Sequence, residues 1–379
     1  MKNLAIFYGG KSAEHDISII TALQVLNNLD KQKYNIVPVY ISNINTWHVL
    51  KDYEKINIYA KKSYEGKKLI TGFYNQCLVQ KTLFGFKKVA KIDQAINCCH
   101  GLNGEDGTLS GLLELAQIPY VGSGVVASGV GMDKVIMKDV FKSNNIPCVD
   151  YIFFTQKEYE INQSNIILEA ELKLNYPIIV KPANLGSSIG INISKTREEL
   201  ENNIKIALSF DKKVILEQVV QNLREINCSC IGNYNSCETS ILEEPKNWQT
   251  FLNFDEKYLS QAENKKTINV KIGNGIDEQI KALSKKVFQV LGCSGVVRID
   301  FLLNDKTQEI YVNEINTIPG SYANYLWKHK YSFSQLLNKL LELSQDEYLY
   351  KNTNNYAFYS NVLQNYNLGQ KNIKFTKIK

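Results

Sequence analysis

Apolar and polar positions along this chain fall into short strand-like runs separated by glycine-bearing loops and amphipathic stretches. The opening NLAIFYGG is apolar and ends in two glycines. SAEHDISIITALQVLNNL follows, with Ile17, Ile20, Leu23 and Leu26 near helical spacing, so the pattern predicts strand, loop, helix. YNIVPVYIS predicts a second strand, and QAINCCHGLNGEDG another that runs into a glycine-rich loop. Strands alternating with helices predict a parallel sheet with helices on its faces and ligands at the C-terminal strand ends. Residues 43–92 carry WHVL, CLVQ and GFKKVA and predict short strands only.

Farther on, residues 134–141 predict a helix, and IPCVDYIFF resumes strand character. YPIIVKPANLGSSIGINIS reads as strand, glycine-rich loop, strand, and KKVILEQVV and EINCSCIGN as two more strands. NWQTFLNFDEKYLSQAENKKT is a long polar connection, a candidate mobile loop. EQIKALSKKVFQVLG is amphipathic at helical period and precedes a strand pair, GVVRIDFLLNDKTQEIYVNEINTIPG. Alternation puts Arg298 and Asp300 on one face with Val296 and Leu302, and Glu314 and Asn316 on one face with Ile310 and Val312. Charges on otherwise apolar faces are costly unless paired or bound to an ion.

Composition narrows the classes. A chain of 379 residues predicts two or three domains, and 44% apolar with 22% charged residues is ordinary for a globular protein. The net charge of +6 is modest, with Lys and Glu intermixed, and does not point to nucleic acid. There is no charged and apolar leader and no apolar stretch of membrane-spanning length, so the expectation is a cytoplasmic protein without a membrane partner. The 8 cysteines and 4 histidines form no ligand spacing, which predicts buried free thiols rather than a zinc site.

Several stretches carry candidate chemistry. YGGKSAEH resembles a phosphate-binding loop, but that pattern needs glycine where Ala5 stands. It reads instead as a helix-capping turn with Ser12 as N-cap, leaving Glu14 and His15 in the first turn, where an amine could meet Glu14. VKPANLGSSIG has two readings: a plain hairpin turn, or a backbone cradle for polyphosphate with Lys181 as point charge. Lys134, taken alone, reads as a solvated helix charge. Asp300, Glu314 and Asn316 are hard oxygen ligands suited to Mg²⁺ on nucleotide phosphates, with Arg298 placed to neutralise a transferring phosphoryl group. The rival reading is a salt-bridged surface hairpin. The lysines, glycine loop and carboxylate hairpin together describe an ATP site clamped between two sheets.

At this point the chain resembles the D-alanine–D-alanine ligases of the ATP-grasp superfamily. GGKSAEHDIS, HGLNGEDGTLSGLLELAQIPYVGSG, GMDKVIMK, YPIIVKPANLGSSIGI, RIDF and NEINTIPG carry the resemblance, in family order, over residues 4–320. It implies an ATP-grasp fold of mixed α/β and α+β character. The implied parts are a parallel-sheet N-terminal domain (1–122), two ATP-clamping subdomains (123–217 and 218–345) and a polar tail (346–379). It implies an ADP-forming ligase that joins two D-alanines through D-alanyl phosphate for peptidoglycan precursor synthesis, using ATP and two Mg²⁺ ions, with Mn²⁺ as an alternative. A homodimer is implied as well.

The same resemblance assigns roles. Lys134, Lys181, Ser187 and Ser188 would hold ATP phosphates, and Glu217, Gln218, Val220 and Glu225 its adenine and ribose. Asp300, Glu314 and Asn316 would bind the metal ions. Glu14 would take the first D-alanine's ammonium, with His100 near its carboxylate. Arg298 and the N–H of Gly320 would stabilise the acyl-phosphate and tetrahedral intermediate, and Ser187 and Ser188 would link the glycine loop to a lid carrying Lys257 and Tyr258. Tyr325 and Leu326 would line the acceptor site.

Two segments depart from the family. Its lid usually reads YDYxxKY…PA, whereas here Leu252 and Phe254 replace the tyrosines and the proline is missing. After NTIPG the family continues FTxxS, its serine receiving the second substrate's carboxylate; here SYANYLW puts Tyr325 at that place. A phenol is larger and reaches differently. D-serine, D-lactate or another amino acid is therefore an alternative acceptor, and a non-catalytic ATP-binding paralogue is a rival of another class.

Overall fold

The computed structural model describes residues 1–60, 62, 64, 69–233, 235–245 and 266–354. The buried run at the start forms β1 (Lys2–Gly9), and Gly9 and Gly10 both take positive φ where the chain turns off the strand. Helix α1 (His15–Asn28) follows. Ser12 is not its N-cap; Glu14 holds that position without a side-chain cap bond, and Ser12 Oγ accepts from the Glu14 N–H at 3.1 Å. The expected apolar stripe is also displaced. Ile20 is 44% exposed, whereas Ile19, Ala22, Val25 and Leu26 are buried. The helix packs between β1 and a turn from the chain's far end, so its buried face is wider than one 3.6-period stripe.

Strands β2 (Tyr34–Ile41), β3 (Trp47–Val49) and β4 (Leu69–Ile70) extend the sheet on one side of β1. Between β3 and β4 lies a single helical turn, α2 (Asn57–Ala60). A separate antiparallel sheet comprises β5 (Gly72–Tyr74), β6 (Cys77–Thr82) and β7 (Gly85–Lys91). Then β8 (Gln94–Asn97), α3 (Thr108–Leu115) and β9 (Tyr120–Val121) complete the first sheet in the order β4-β3-β2-β1-β8-β9. Only β2, β1, β8 and β9 run parallel, and β3 and β4 pair antiparallel at the edge, so the sheet is mixed rather than all-parallel. The short return from β2 to β3 forces this, since parallel pairing needs a longer crossover.

Helices α4 (Val125–Met132) and α5 (Lys134–Ser143) lead to a second, four-stranded sheet. Its strands are β10 (Tyr151–Thr155), β11 (Ile178–Pro182), β12 (Asn192–Ser194) and β13 (Lys213–Gln218), in the order β10-β13-β11-β12. Helices α6 (Gln156–Leu174) and α7 (Arg197–Phe210) cover one face around Ile167, Leu200 and Ile204. The third sheet has strands β14 (Leu223–Gly232), β15 (Cys237–Pro245), β16 (Lys266–Ile268), β17 (Gly295–Asn304) and β18 (Ile310–Asn316), in the order β16-β15-β14-β17-β18. Helix α8 (Ile276–Val290) packs Ile280, Val287 and Phe288 on its core face.

After β18 come a tight turn at Gly320–Ala323, the short helix α9 (Asn324–Trp327) and α10 (Phe333–Asn352). Helix α10 returns to the first sheet. Leu336, Leu337 and Leu340 share one cluster with Leu4, Ile6 and Leu26, and Gln94 Nε2 donates to the Leu341 carbonyl at 2.6 Å. Among the described residues no helix is long and apolar enough to cross a membrane.

Candidate active site

The third sheet sorts its side chains by parity. Ile226, Cys228 and Cys230 of β14 and Val297, Ile299 and Phe301 of β17 enter the core cluster. Their neighbours one residue away form a polar row on the opposite face. Glu243 pairs with Asn227, Asn227 with Asp300, and Asp300 with Glu314, so one row crosses β15, β14, β17 and β18. Arg298 and Asn316 pair one step along.

Simple alternation fails in β18. Ile310, Val312 and Ile315 all enter the core, so Glu314 and Asn316 do not share a face with Ile310 and Val312. The pairing jumps from Asp300↔Glu314 to Phe301↔Val312, a β-bulge that leaves Asn313 as the extra residue. An inserted residue shifts the phase of the strand by one and re-aims the side chains beyond it. Here it turns both ligand candidates toward Asp300.

Within this row Arg298 holds Asp300 bidentately, at 2.7 Å from Nε to Oδ1 and 2.8 Å from Nη2 to Oδ2. Asn316 Nδ2 donates to Asp300 Oδ2 at 3.0 Å. Burial raises the Asp300 carboxyl, the Arg298 charge opposes this, and the nearby Glu314 and Glu243 charges leave it raised overall. A site with more negative charge than it can settle internally, offering hard carboxylate and amide oxygens, fits a divalent cation such as Mg²⁺.

Lysines face this row from the second sheet and α5. Lys134 stands at the first turn of α5, whose N-cap Asp133 accepts from the Val135 and Ile136 N–H groups at 3.0 and 3.1 Å. Its Nζ donates to the Leu185 carbonyl at 2.8 Å and lies 3.5 Å from Glu314. Lys181 Nζ donates to Glu217 at 2.6 Å and to Asn313 Oδ1 at 3.3 Å. Lys138, unexposed, pairs with the other Glu217 oxygen at 3.2 Å. Burial alone would raise the Glu217 carboxyl, but the two lysine charges bring it down to about 2. Lys134 on the loop carbonyl of Leu185, and Lys181 leaving the strand that feeds the loop, place ammonium groups where a phosphate site needs them. Gln218 is exposed and Val220 half-buried just beyond β13, and the half-buried Glu225 adds its charge to the field at Lys181.

The glycine loop also touches the first sheet. Ser187 Oγ donates to Glu14 Oε1, and Ser187 and Ser188 both take positive φ. A Cβ on Gly186 would lie 2.9 Å from Glu14 Oε2, and one on Gly101, itself at φ +69°, would lie 2.8 Å from the same oxygen. The two glycines therefore make room for the Glu14 carboxyl. A cavity of about 320 Å³ opens here, lined by Ser12, Glu14, Gly101 and Gly186 among others.

His100, 4% exposed, stands beside Glu14 in the electrostatic field. Its Nε2 lies 2.9 Å from Thr21 Oγ1 and its Nδ1 3.9 Å from Glu105. Burial pulls the imidazole down, but Glu105 and Glu14 outweigh it and hold it above its ordinary value. Burial and the Glu105 charge push the Glu14 carboxyl up. The turn after Gly320 closes this end. Ser321, Tyr322 and Ala323 all take φ near +50°, and each such non-glycine residue costs on the order of 1–3 kcal/mol. Tyr322 Oη donates to the Asn97 carbonyl at 2.5 Å, and the Ser321 N–H to Thr21 Oγ1 at 3.3 Å, holding the turn in place.

Three of the four sheets thus converge on one cleft that presents an acid, an imidazole, a glycine loop, buried lysines and a carboxylate row. Two family models match the chain: the D-ala D-ala ligase N-terminus over residues 3–123 and the D-ala D-ala ligase C-terminus over residues 140–342. The chain belongs to the D-alanine–D-alanine ligase family. A D-alanine–D-alanine ligase from Thermosipho melanesiensis is 41% identical over 92% of this chain and 95% of its own length. The D-alanine–D-alanine ligase structure from Coxiella burnetii superposes with a TM-score of 0.78 at 27% identity, over 93% of this chain and 96% of that one. VanG D-Ala:D-Ser ligase from Enterococcus faecalis gives 0.75 at 29% identity, over 90% and 99%. Of the family-implied residues, Lys257 and Tyr258 lie outside the described residues, as do Leu252 and Phe254. Tyr325, partly exposed at the start of α9, donates from its hydroxyl to Glu243 at 2.7 Å, and Leu326 is buried next to it.

Three neighbours escaped sequence reasoning: Glu105, Lys138 and Glu243. Glu105 sits five residues past His100, where a loop gave no period to read. Glu243 stands in β15, which reads CETSILEEP and carries two further acids, Glu238 and Glu244, so the local pattern did not single it out.

Proposed function

We infer that this protein is an ATP-dependent ligase that joins two D-alanines, forming D-alanyl-D-alanine, ADP and phosphate through a D-alanyl phosphate. The observation that carries the reading is the direct bond from Ser187 of the glycine loop to Glu14, which brings an amino-acid site and a phosphate loop into one cleft. Glu14 takes the ammonium of the first D-alanine, and the His100 imidazole attracts its carboxylate, which then attacks the γ-phosphate. Lys134, Lys181, Ser187 and Ser188 hold the ATP phosphates. Glu217, Gln218, Val220 and Glu225 bind its adenine and ribose. Asp300, Glu314 and Asn316 would hold Mg²⁺, which supplies charge neutralisation on the phosphates. Arg298 and the Gly320 N–H stabilise the charge that develops on the acyl oxygen. Lys257 and Tyr258 belong to a lid that keeps water from the acyl-phosphate.

The test is phosphate release from ATP and Mg²⁺ with D-alanine alone, the product identified by mass. Stoichiometric release with D-alanyl-D-alanine is the expected result; no release overturns the reading. Tyr325 and its bond to Glu243 favour one variant of it, a different acceptor. Release that begins only when D-serine or D-lactate accompanies D-alanine would establish that variant.

A further inference from the structure

One acid in the polar row is given no role in that reaction scheme. Glu243 is fully buried, and its cross-strand neighbours are Asn227 on one side and Ile268 on the other. Strands lie about 4.8 Å apart, so Glu243 stands roughly 10 Å from Asp300 on the same face. Asn227 Nδ2 donates to Glu243 Oε2 at 3.1 Å and Tyr325 Oη to the same oxygen at 2.7 Å. In both bonds the Glu243 carboxyl is the acceptor. Among the described residues, charged and titratable groups that act on it include Arg298 and Asp300 from β17 and Tyr325 from α9, while β14 contributes the neutral Asn227. Tyr325 is partly exposed whereas Glu243 is fully buried, so Tyr325 is the member of the pair that a ligand can meet.

Joining an amine to an acyl-phosphate has one requirement that the other residues leave unmet. The acceptor arrives as an ammonium and must lose a proton before its lone pair can attack. We propose that Tyr325 and Glu243 form the relay that takes this proton, an inference that rests on the ligase reading. The acceptor's ammonium donates to Tyr325 Oη as that oxygen passes its own proton to Glu243 Oε2. The freed amine forms the C–N bond, the C–O bond to the phosphoryl group breaks, and its electron pair leaves with inorganic phosphate. The second nitrogen proton departs with that phosphate. Burial holds the phenol far above its ordinary value, so Tyr325 conducts the proton and Glu243 stores it. Asn227 is a positioning residue that fixes the Glu243 carboxyl.

Hydroxylamine separates this step from the rest, because it is already neutral near pH 7 and converts the acyl-phosphate to a hydroxamate without a base. Purified Glu243→Gln and Tyr325→Phe proteins are compared with wild type for D-alanyl hydroxamate and for dipeptide across pH. Dipeptide turnover should fall on the order of 100-fold at pH 7 in both variants, the usual scale for a lost general base. Hydroxamate should be spared, and the dipeptide deficit should narrow as pH rises and free amine accumulates. Dipeptide turnover and a pH profile unchanged from wild type overturn the relay. So does a parallel loss of hydroxamate and dipeptide, which marks a role in folding or in the first half-reaction. If Glu243→Gln fails to fold, Tyr325→Phe alone carries the comparison, because it breaks the same relay and leaves the buried carboxyl in place. Absence of D-alanine-dependent hydroxamate in the wild type instead overturns the ligase reading itself.

Discussion

Arg298 shows how one side chain serves two states. In this structure it neutralises Asp300 through a bidentate bond, and both are placed by adjacent positions of one strand face. A charge needed for the developing acyl oxygen is not needed to hold nucleotide. Replacing it with Ala should therefore reduce kcat by at least 100-fold while ATP affinity, read by calorimetry, changes little. Glu14 and His100 bring a pH window of their own. Glu14 must be ionised to take an ammonium, and its carboxyl is raised, so first-substrate affinity falls as pH drops through a value above the ordinary carboxylate range. His100 must be charged to attract a carboxylate, and its imidazole is raised, so affinity falls again as pH climbs through a value above the ordinary imidazole range. The KM for the first D-alanine should trace both limbs, and His100→Asn should remove the upper one.

Among the elements, α5 couples stability to the phosphate site. Asp133 caps its first turn and pairs with Lys213, and Lys134 follows it directly. Asp133→Ala should cost about 1–2 kcal/mol in a denaturant titration and raise the KM for ATP, because the turn that aims Lys134 frays. The sequence announced this helix, the glycine loop and β17 plainly, since each shows a local period or a capping signal. It announced much less elsewhere. The mixed edge of the first sheet depends on loop length and pairing partners. The wide buried face of α1 depends on a turn some 300 residues later, and Ile20 and Ile19 cannot be ranked without it. The bulge at Asn313 leaves no mark in the alternation, because its cause is the register with β17. The site was legible as six motifs, yet Glu105, Lys138 and Glu243 became visible only when strands from distant segments were laid side by side.

At the scale of the whole molecule, the cleft is held by contacts between segments far apart in the chain: Glu14 with Ser187, Lys134 with Glu314, and Tyr325 with Glu243. Ligands that engage all three sheets should stabilise them jointly. ATP at 100 times its Kd adds about 2.7 kcal/mol if it binds only the folded chain. The melting temperature should rise with ATP and Mg²⁺, and rise less when EDTA removes the metal. Arg298→Ala should keep the full rise. The extra residue in β18 gives the same architecture a particular evolutionary rigidity. Gain of a single codon beside Asn313, with the bulge kept, would leave length and composition almost unaltered, yet it would turn Glu314 and Asn316 toward the core and Ile315 toward the cleft. Point substitutions can tune this site gradually, but a change of reading phase in that strand has no partial form. Lineages descending from this protein should vary in the letters of the strand and hold its count.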